Sequence, residues 1–322
     1  MDLTLTADQR AMRSALRELV ADLWPQDRLR DAADAPTLDT VRWVALAQLG
    51  LFGLILPQDE GGMGLGLVDA AVLFEELGRG LVPGPVVPTA LASALVPEVL
   101  TGKAVVAMLD VRDPTPVAEH LESATHLVAV DDDGLFLLPA GEYTHRPVDR
   151  PLDPLTPLSL VTLPRGLGER VGSPADAARW RAQGTVLTAA LQVGVSRGAL
   201  DLAVRYAGER IQFGRVIGSF QAVKHLLADS LVKLDVARAA VLVAALAADD
   251  PTAGEDVDAA ASAAKLLADG AATEGGRTCV QVHGGMGFTW EVLAHLYLKR
   301  AWLLATCFGG ADEHAARLGA AL

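Results

Sequence analysis

The sequence contains little cysteine, an excess of acidic over basic residues and no long apolar run. Its two cysteines, Cys279 and Cys307, are too few for a disulfide framework and are typical of a reducing compartment. The sequence has 27 Lys and Arg residues and 40 Asp and Glu residues. The resulting net charge of -13 opposes binding to nucleic acid and to anionic membrane surfaces. Charged residues, glycine or proline interrupt every apolar segment before the ~20 residues that a membrane span needs. We therefore expect a cytoplasmic protein with no nucleic-acid or membrane partner.

Changes of pattern along the 322 residues predict three domains. Residues 1–101 carry apolar side chains at three-to-four-residue spacing, as at Met12 and Leu16, which is typical of helices. Residues 102–172 carry short apolar runs and many prolines, which predicts a small β domain. Residues 173–322 return to helical spacing in long stretches and predict a four-helix bundle. The predicted fold class is therefore mainly α with a small β domain.

Local signals predict individual elements within these domains. A helix from Val68 to Leu77 should stop at Gly78, because glycine is common just after a helix end. The segment Asp131–Gly134 should join two strands in a hairpin, because Asp and Gly tolerate positive φ. The last predicted helix covers roughly Val292 to Ala305. The apolar runs that predict strands are 104–111, 126–130, 135–138 and 158–163.

The first of three motifs combines leucine-rich and glycine-rich strings. It consists of Leu49–Pro57 (LGLFGLILP), Gly61–Gly64 (GGMG) and Phe74–Gly78 (FEELG). The glycines suit a tight loop and the leucines suit a core. We therefore expect this motif to serve packing and no chemistry.

The second motif is Glu209–Gly214 (ERIQFG), followed by Phe220 and Gln221. The planar guanidinium of Arg210 presents paired N–H donors that match phosphate oxygens, and it keeps its charge near neutral pH. A structural alternative is that Arg210 caps the carbonyl groups of a helix end or pairs with Glu209. The context of the whole string favours a phosphate-binding role.

The third motif is Gln281–Glu291 (QVHGGMGFTWE). Backbone approaches a phosphate or an adenine closely only where side chains are absent, which suits Gly284 and Gly285. Gln281 would add a polar contact, although a plain turn is the commoner cause of such a glycine string. His283 lies in the same turn with no Cys, His or Asp cluster at ligand spacing, so no metal site is predicted.

The three motifs, in this order and over nearly the whole chain, resemble the acyl-CoA dehydrogenase family. The resemblance implies an N-terminal helical domain, a middle β-barrel domain that is reduced here, and a C-terminal helical bundle. It also implies FAD as the cofactor, held across a subunit interface with Arg210 at the pyrophosphate and the glycine turn at the ADP end. We call the implied FAD-binding residues the dinucleotide clamp; they are Arg210, Phe213, Gln221, Gln281, Gly284 and Gly285.

The same resemblance shows that the usual catalytic base is missing. Family dehydrogenases remove the acyl α-proton with a glutamate, whose position matches Gly309 or, in a smaller group, Gly184 or Thr185. None of these residues is a carboxylate, so no catalytic residue is assigned. Asp312 and Glu313 follow closely, but three residues of helix move a side chain by ~4.5 Å and to another face. A displaced base at Asp312 or Glu313 is therefore the alternative to two plain surface carboxylates.

The predicted β domain also lacks the strings that touch the flavin ring and the thioester in family members. Neither a Glu-Pro-x-x-Gly-Ser-Asp loop nor an Asn-Gly-x-Lys-x-Trp-Ile string occurs between residues 102 and 164. This one-sided loss resembles the non-catalytic subunits of actinobacterial heterotetrameric acyl-CoA dehydrogenases, several of which act on CoA esters of steroid side chains. The resemblance implies α,β-desaturation of an acyl-CoA together with a paralogous catalytic subunit, with electrons passed to an electron-transferring flavoprotein.

Two other functions stay open at this point. One is a self-sufficient homomeric acyl-CoA dehydrogenase with a displaced base. The other is a non-redox protein on the same fold that binds CoA esters or has a structural role, since fold alone does not decide function.

Overall fold

The computed structural model of the protein describes residues 4–113, 115–164, 166–250 and 256–321. The chain is mainly helical with a small β region, which confirms the predicted fold class. It divides into two compact units: the larger contains Met1–Arg30, Ala71–Val82 and Thr185–Leu322, and the smaller contains Asp31–Ala70 and Pro83–Gly184. Among the described residues, no helix is both long enough and apolar enough to cross a bilayer.

The helices begin at clear local signals. In chain order they are α1 (Ala7–Leu23), α2 (Gln26–Asp34), α3 (Thr40–Gln48), α4 (Leu67–Arg79), α5 (Val86–Leu91), α6 (Pro174–Glu209), α7 (Gln221–Asp249), α8 (Val257–His283), α9 (Ala294–Leu304) and α10 (Ala311–Ala321). Thr6 begins α1 in a capping box with Gln9, and Asp39 and Asp256 cap α3 and α8 by accepting backbone N–H bonds. Within the larger unit, α8 packs against α7, α9 and α10.

The helix expected over Val68–Leu77 is α4, which ends two residues later than predicted, at Arg79, so Gly78 lies in its last turn. Gly78 also marks a close crossing of two helices. A Cβ atom on Gly78 would lie 2.0 Å from the carbonyl oxygen of Leu191 in α6. A Cβ atom on Gly194 of α6 would lie 1.9 Å from the carbonyl oxygen of Glu75 in α4. Glycine on both helices therefore permits direct backbone contact.

Two adjacent glutamates of the Phe74–Gly78 string form ion pairs with partly exposed arginines. Glu76 accepts bonds from Nε and Nη2 of Arg17 at 2.9 and 2.6 Å, and Glu75 accepts one from Nε of Arg238 at 2.8 Å. Both glutamates are buried. Removing either arginine would leave a buried carboxylate without its partner, which destabilises the fold. This string therefore ties α4 to α1 and α7, which fits the packing role predicted for it.

The end of the chain contains one more helix than the sequence predicted. The helix expected over Val292–Ala305 corresponds to α9, and α10 follows it. The turn between them has positive φ at Phe308 and at Gly309, which breaks the helical path.

The strands of the smaller unit form two sheets. They are β1 (Val106–Asp110), β2 (Val117–Glu119), β3 (His126–Asp131), β4 (Gly134–Pro139), β5 (Thr144–Pro147), β6 (Leu158–Thr162) and β7 (Glu169–Gly172). One sheet has the order β1-β3-β4-β7, with β1 and β3 parallel, and the other is antiparallel with the order β2-β6-β5. The two sheets share a core that includes Leu109, Ala118, Leu127, Leu138 and Val161.

The sequence predicted β1, β3, β4 and β6 but missed β2, β5 and β7. The predicted hairpin is confirmed, because Asp131 pairs with Gly134 at the turn between β3 and β4. The missed strands are three or four residues long, and the side chains of β5 are exposed throughout. Such strands lack the apolar run by which a strand is recognised in a sequence.

Candidate functional site

The second motif forms the end of α6 and a tight hairpin. The backbone N–H of Arg210 donates to the Tyr206 carbonyl oxygen at 2.8 Å. Strands β8 (Ile211–Gln212) and β9 (Arg215–Val216) then pair across Phe213 and Gly214. Both turn residues have positive φ, 52° at Phe213 and 77° at Gly214, as a two-residue type I′ turn requires. The turn leaves the Phe213 side chain 91% exposed at its tip.

The two cationic side chains of this hairpin differ in their surroundings. The Arg215 guanidinium lies over the Phe220 ring, 4.1 Å from its centroid. The exposed Arg210 guanidinium makes no hydrogen bond or ion pair to any described residue, Glu209 included. The two structural roles weighed for Arg210, capping and pairing with Glu209, therefore have no contact to support them. Its donors are available to a group outside the chain.

Gln221 is the first residue of α7 and is also exposed. Its amide nitrogen lies 3.0 Å from Nε2 of His225, one turn further along the helix. The side chain of Gln221 is thus already oriented by its own helix.

The third motif forms the end of α8 and a short 3₁₀ helix, Gly284–Phe288. Gly284 has φ 61° and ψ -138°, a conformation that essentially only glycine adopts. A Cβ atom on Gly285 would meet nothing within 4 Å, and its φ is not positive, so nothing inside the chain requires glycine there. The exposed side chain of Gln281 makes no contact of its own in the described structure. The turn therefore presents bare backbone and a free amide to its exterior.

His283 at the end of α8 is a structural residue. Its Nδ1 lies 2.7 Å from the Cys279 carbonyl oxygen, which only accepts, so Nδ1 carries the proton and donates. Burial lowers the pKa of His283 and outweighs this hydrogen bond, which favours the protonated form, so the imidazole is neutral at pH 7. In the described ranges, no group of three or more His, Cys, Asp or Glu is placed to hold a metal ion.

Tyr206 connects the second and third motifs, a contact that the sequence did not predict. Its ring stacks on the His283 imidazole, with centroids 4.2 Å apart and planes 24° from parallel. Its hydroxyl oxygen lies 3.8 Å from Sδ of Met286. The sequence signal for it was its position four residues before Arg210.

The expected base position, Gly309, lies in a left-handed turn held by His314. Gly309 has φ 101° and Phe308 has φ 56°. His314 is fully buried, and its Nε2 donates to the Phe308 carbonyl oxygen at 3.1 Å. Its Nδ1 therefore accepts from the Ser262 hydroxyl at 3.1 Å. Burial lowers the pKa of His314, which favours the neutral imidazole at pH 7. The Thr185 hydroxyl lies 3.5 Å from the same Phe308 oxygen.

One carboxylate lies beside this turn. A Cβ atom built on Gly309 would be 2.9 Å from His314 Nε2 and 3.0 Å from Glu313 Oε2. Arg317 donates to Glu313 from the next turn of α10. Asp312 is exposed.

A cleft of about 290 Å³ lies elsewhere in the larger unit, at α1, α4, α6 and α9. Its wall includes Arg17, Arg79, Asp201 and Tyr297. Arg79 pairs with Asp201 at 2.8 Å and Arg17 pairs with Glu76, while the Tyr297 hydroxyl donates to the Arg79 carbonyl oxygen. Arg17, Arg79 and Asp201 are thus paired within the wall of the cleft.

Helix α7 carries an exposed apolar surface in its first half. Leu226, Leu231, Val232 and Val236 are between 39% and 62% exposed. Large exposed apolar side chains that form a contiguous patch are typical of protein interfaces.

Two domains of one protein family match the chain. The acyl-CoA dehydrogenase C-terminal domain matches residues 182–321, and the acyl-CoA dehydrogenase N-terminal domain matches residues 6–102. Acyl-CoA dehydrogenase FadE34 of Mycobacterium tuberculosis is 36% identical over 307 residues, which cover 86% of this chain but only 41% of FadE34. Acyl-CoA dehydrogenase IpdE2 of Mycolicibacterium smegmatis is 34% identical over 335 residues, which cover 96% of this chain and 98% of IpdE2.

Solved structures with the same fold include two complexes. A steroid acyl-CoA dehydrogenase variant, Tcur3481–Tcur3483, is 28% identical with a TM-score of 0.87 and 98% coverage of both chains. The ChsE4–ChsE5 complex of Mycobacterium tuberculosis has a TM-score of 0.88, 22% identity and coverage of 99% of this chain and 98% of that one. At 22% identity the second likeness shows the fold alone.

Proposed function

The chain belongs to the acyl-CoA dehydrogenase family, and we propose that it is the non-catalytic subunit of a heteromeric, FAD-dependent acyl-CoA dehydrogenase. One contrast carries the proposal. The clamp side chains of Arg210 and Gln281 are exposed and free within the described structure, whereas glycine stands at the expected base position, Gly309. Exposed clamp residues on a chain that lacks the catalytic base suit a flavin whose ring is bound by another subunit.

The clamp residues fit FAD chemically. The Arg210 guanidinium offers two parallel N–H donors to pyrophosphate oxygens, and the bare backbone at Gly284 and Gly285 lets an ADP moiety approach closely. Gln281 adds a hydrogen-bonding amide, and Phe213 adds an exposed aromatic face. Gln221 stands at the start of α7 as a second amide. The flavin ring, held by the partner subunit, would accept hydride as the acyl-CoA is desaturated.

The proposal includes assembly with a paralogous catalytic subunit. The exposed apolar surface on α7 supports contact through the helical bundle, and closed symmetry favours a heterotetramer of two chains of each kind. The partner would contribute the base and the ring site, and electrons would leave to an electron-transferring flavoprotein. The 28% identical steroid acyl-CoA dehydrogenase favours a steroid-derived acyl-CoA as the substrate class.

A specific observation favours a second candidate, the self-sufficient dehydrogenase with a displaced base. Glu313 Oε2 lies 3.0 Å from the Cβ position of Gly309, so a carboxylate is present beside the expected base position. Against this candidate, Arg317 ties Glu313 to its own helix, and residues 102–164 lack the strings that bind the flavin ring.

The proposal is tested by purifying the chain alone and together with its paralogous partner, and recording the visible flavin spectrum of each. We expect a yellow complex and a colourless single chain. A chain that is yellow by itself would favour the homomeric enzyme. A complex that stays colourless after incubation with FAD would favour a non-redox binding protein.

A further inference from the structure

Tyr206 touches both halves of the dinucleotide clamp. Its carbonyl oxygen accepts the Arg210 N–H at 2.8 Å, which closes the last turn of α6 just before the arginine. Its ring stacks on His283 at 4.2 Å, and its hydroxyl lies 3.8 Å from Met286 Sδ. His283 and Met286 directly flank Gly284–Gly285 in the chain. Tyr206 therefore reaches the residue before and the residue after the glycine pair.

The His283 side of this contact is rigid. His283 is buried, and its Nδ1–H bond to the Cys279 carbonyl fixes the ring within the last turn of α8. This hydrogen bond holds the imidazole in one orientation beside the tyrosine ring. The near-parallel stack of Tyr206 on this fixed ring joins the ends of α6 and α8.

We propose that Tyr206 is a positioning residue that sets the separation between Arg210 and the Gly284–Gly285 turn, so that one FAD molecule is gripped at its pyrophosphate and its ADP end together. The proposal rests on the proposed function, because it concerns the same site. A ligand held at two points binds tightly only when both points are already in place, since otherwise binding must bear the cost of ordering them.

The test uses the complex of this chain with its catalytic partner, stripped of flavin and titrated with FAD. Tyr206→Leu removes the ring, whereas Tyr206→Phe keeps the stack and loses only the hydroxyl. We expect the Kd for FAD to rise about tenfold in the leucine variant and less than about threefold in the phenylalanine variant. If the leucine variant does not assemble, His283→Leu removes the stack from its other side and must give the same rise.

A double-mutant cycle separates positioning from simple stabilisation. In an Arg210→Ala background, Tyr206→Leu should raise the Kd by less than about threefold further, because the separation it sets no longer matters. Tyr297→Phe is the matched structural control: it removes a buried hydroxyl bond to the Arg79 carbonyl and should lower Tm without changing the Kd for FAD.

The outcomes distinguish the two claims. If Arg210→Ala weakens FAD binding and Tyr206→Leu leaves it unchanged, the positioning role is wrong and the proposed function stands. If the two substitutions act independently, so that their effects on Kd multiply, Tyr206 only stabilises the fold and the positioning role is again wrong. If neither substitution changes the Kd, the clamp assignment falls and the positioning role falls with it.

Discussion

The Thr185 hydroxyl lies 3.5 Å from the carbonyl oxygen of Phe308. This contact joins the two places at which the family's catalytic glutamate is expected, because the minor position matches Gly184 or Thr185 and the major one is Gly309. Threonine and glycine stand there, and neither accepts a proton as a carboxylate does. Thr185 and the residue before Gly309 are thus in contact, and neither Thr185 nor Gly309 supplies a base.

The first prediction concerns Arg210. Arg210→Ala should weaken FAD binding to the complex by ~2 to 5 kcal/mol, because the diphosphate loses a charge-assisted partner. Arg210→Lys should restore only part of the affinity, since an ammonium has no planar fork. Arg205→Ala, which removes the same charge from an exposed site in the last turns of α6, is the control and should leave flavin content unchanged. Equal flavin retention in both alanine variants, measured by absorbance, would refute the assignment.

The second prediction is that restoring the glutamate at position 309 does not create an active site. Gly309→Glu places a side chain at φ 101°, where its Cβ would crowd His314 Nε2 at 2.9 Å, and should reduce stability by about 1–3 kcal/mol. Gly310→Ala has open space and no positive φ, and should change stability by less than about 0.5 kcal/mol. Denaturant titration measures both. Acyl-CoA oxidation by the single-chain Gly309→Glu variant would contradict the account.

The third prediction concerns the carboxylate nearest to Gly309. Glu313→Gln should leave turnover of the complex nearly intact, as should the matched controls Asp312→Asn and Glu291→Gln. A true general base would lose ~10²- to 10⁴-fold in rate with flavin retained. Rate and flavin content must be measured on the same preparation, so that loss of cofactor is not read as loss of chemistry. A collapse of rate confined to Glu313→Gln would establish the displaced base.

The fourth prediction is a pH dependence in the smaller unit. Burial alone would raise the pKa of Asp110, but hydrogen bonds from Arg112 and Arg181 outweigh it and lower this pKa to about 2. A carboxyl with a depressed folded-state pKa stabilises the fold above its unfolded pKa, and this contribution is lost as pH falls towards 2. After allowance for solvent screening we expect Asp110→Asn to cost about 1–2 kcal/mol at pH 7.

The Asp110 effect has a clear signature in thermal unfolding. The Tm difference between wild type and Asp110→Asn should be largest at neutral pH and should shrink between about pH 4 and pH 2. Asp132→Asn, at a largely exposed partner of Arg181, should shift Tm much less at every pH. A difference that stays constant down to pH 2 would mean that the ion pair is not its source.

Short motifs carried most of what the sequence could predict about the site. The ERIQFG and QVHGGMG strings led to Arg210, Phe213 and the glycine turn as candidates, because the backbone conformations and side chains that such a site needs are encoded within a few residues. The Tyr206–His283 stack was out of reach, since nothing local pairs a residue of α6 with the end of α8. The same limit hid the ion pairs of Glu75 and Glu76, whose partners lie on other helices.

Tertiary context decides features of the fold that local propensity does not. Gly78 lies in the last turn of α4, near the predicted stop, but the Leu191 carbonyl of α6 also leaves no room for a side chain there. The strands β2, β5 and β7 are short, and β5 (Thr144–Pro147) is exposed throughout, so pairing with a neighbour rather than an apolar run creates them.

The central claim, that this chain clamps a flavin for a partner and holds no flavin ring itself, is tested most directly by counting FAD. The purified complex is denatured, the released FAD is measured by absorbance, and the amount is divided by the molar amount of each chain. The account predicts one FAD for every pair of unlike chains, because only the partner holds a ring. Two FAD molecules per pair would contradict the account, since the second ring could only be bound in an active site on this chain.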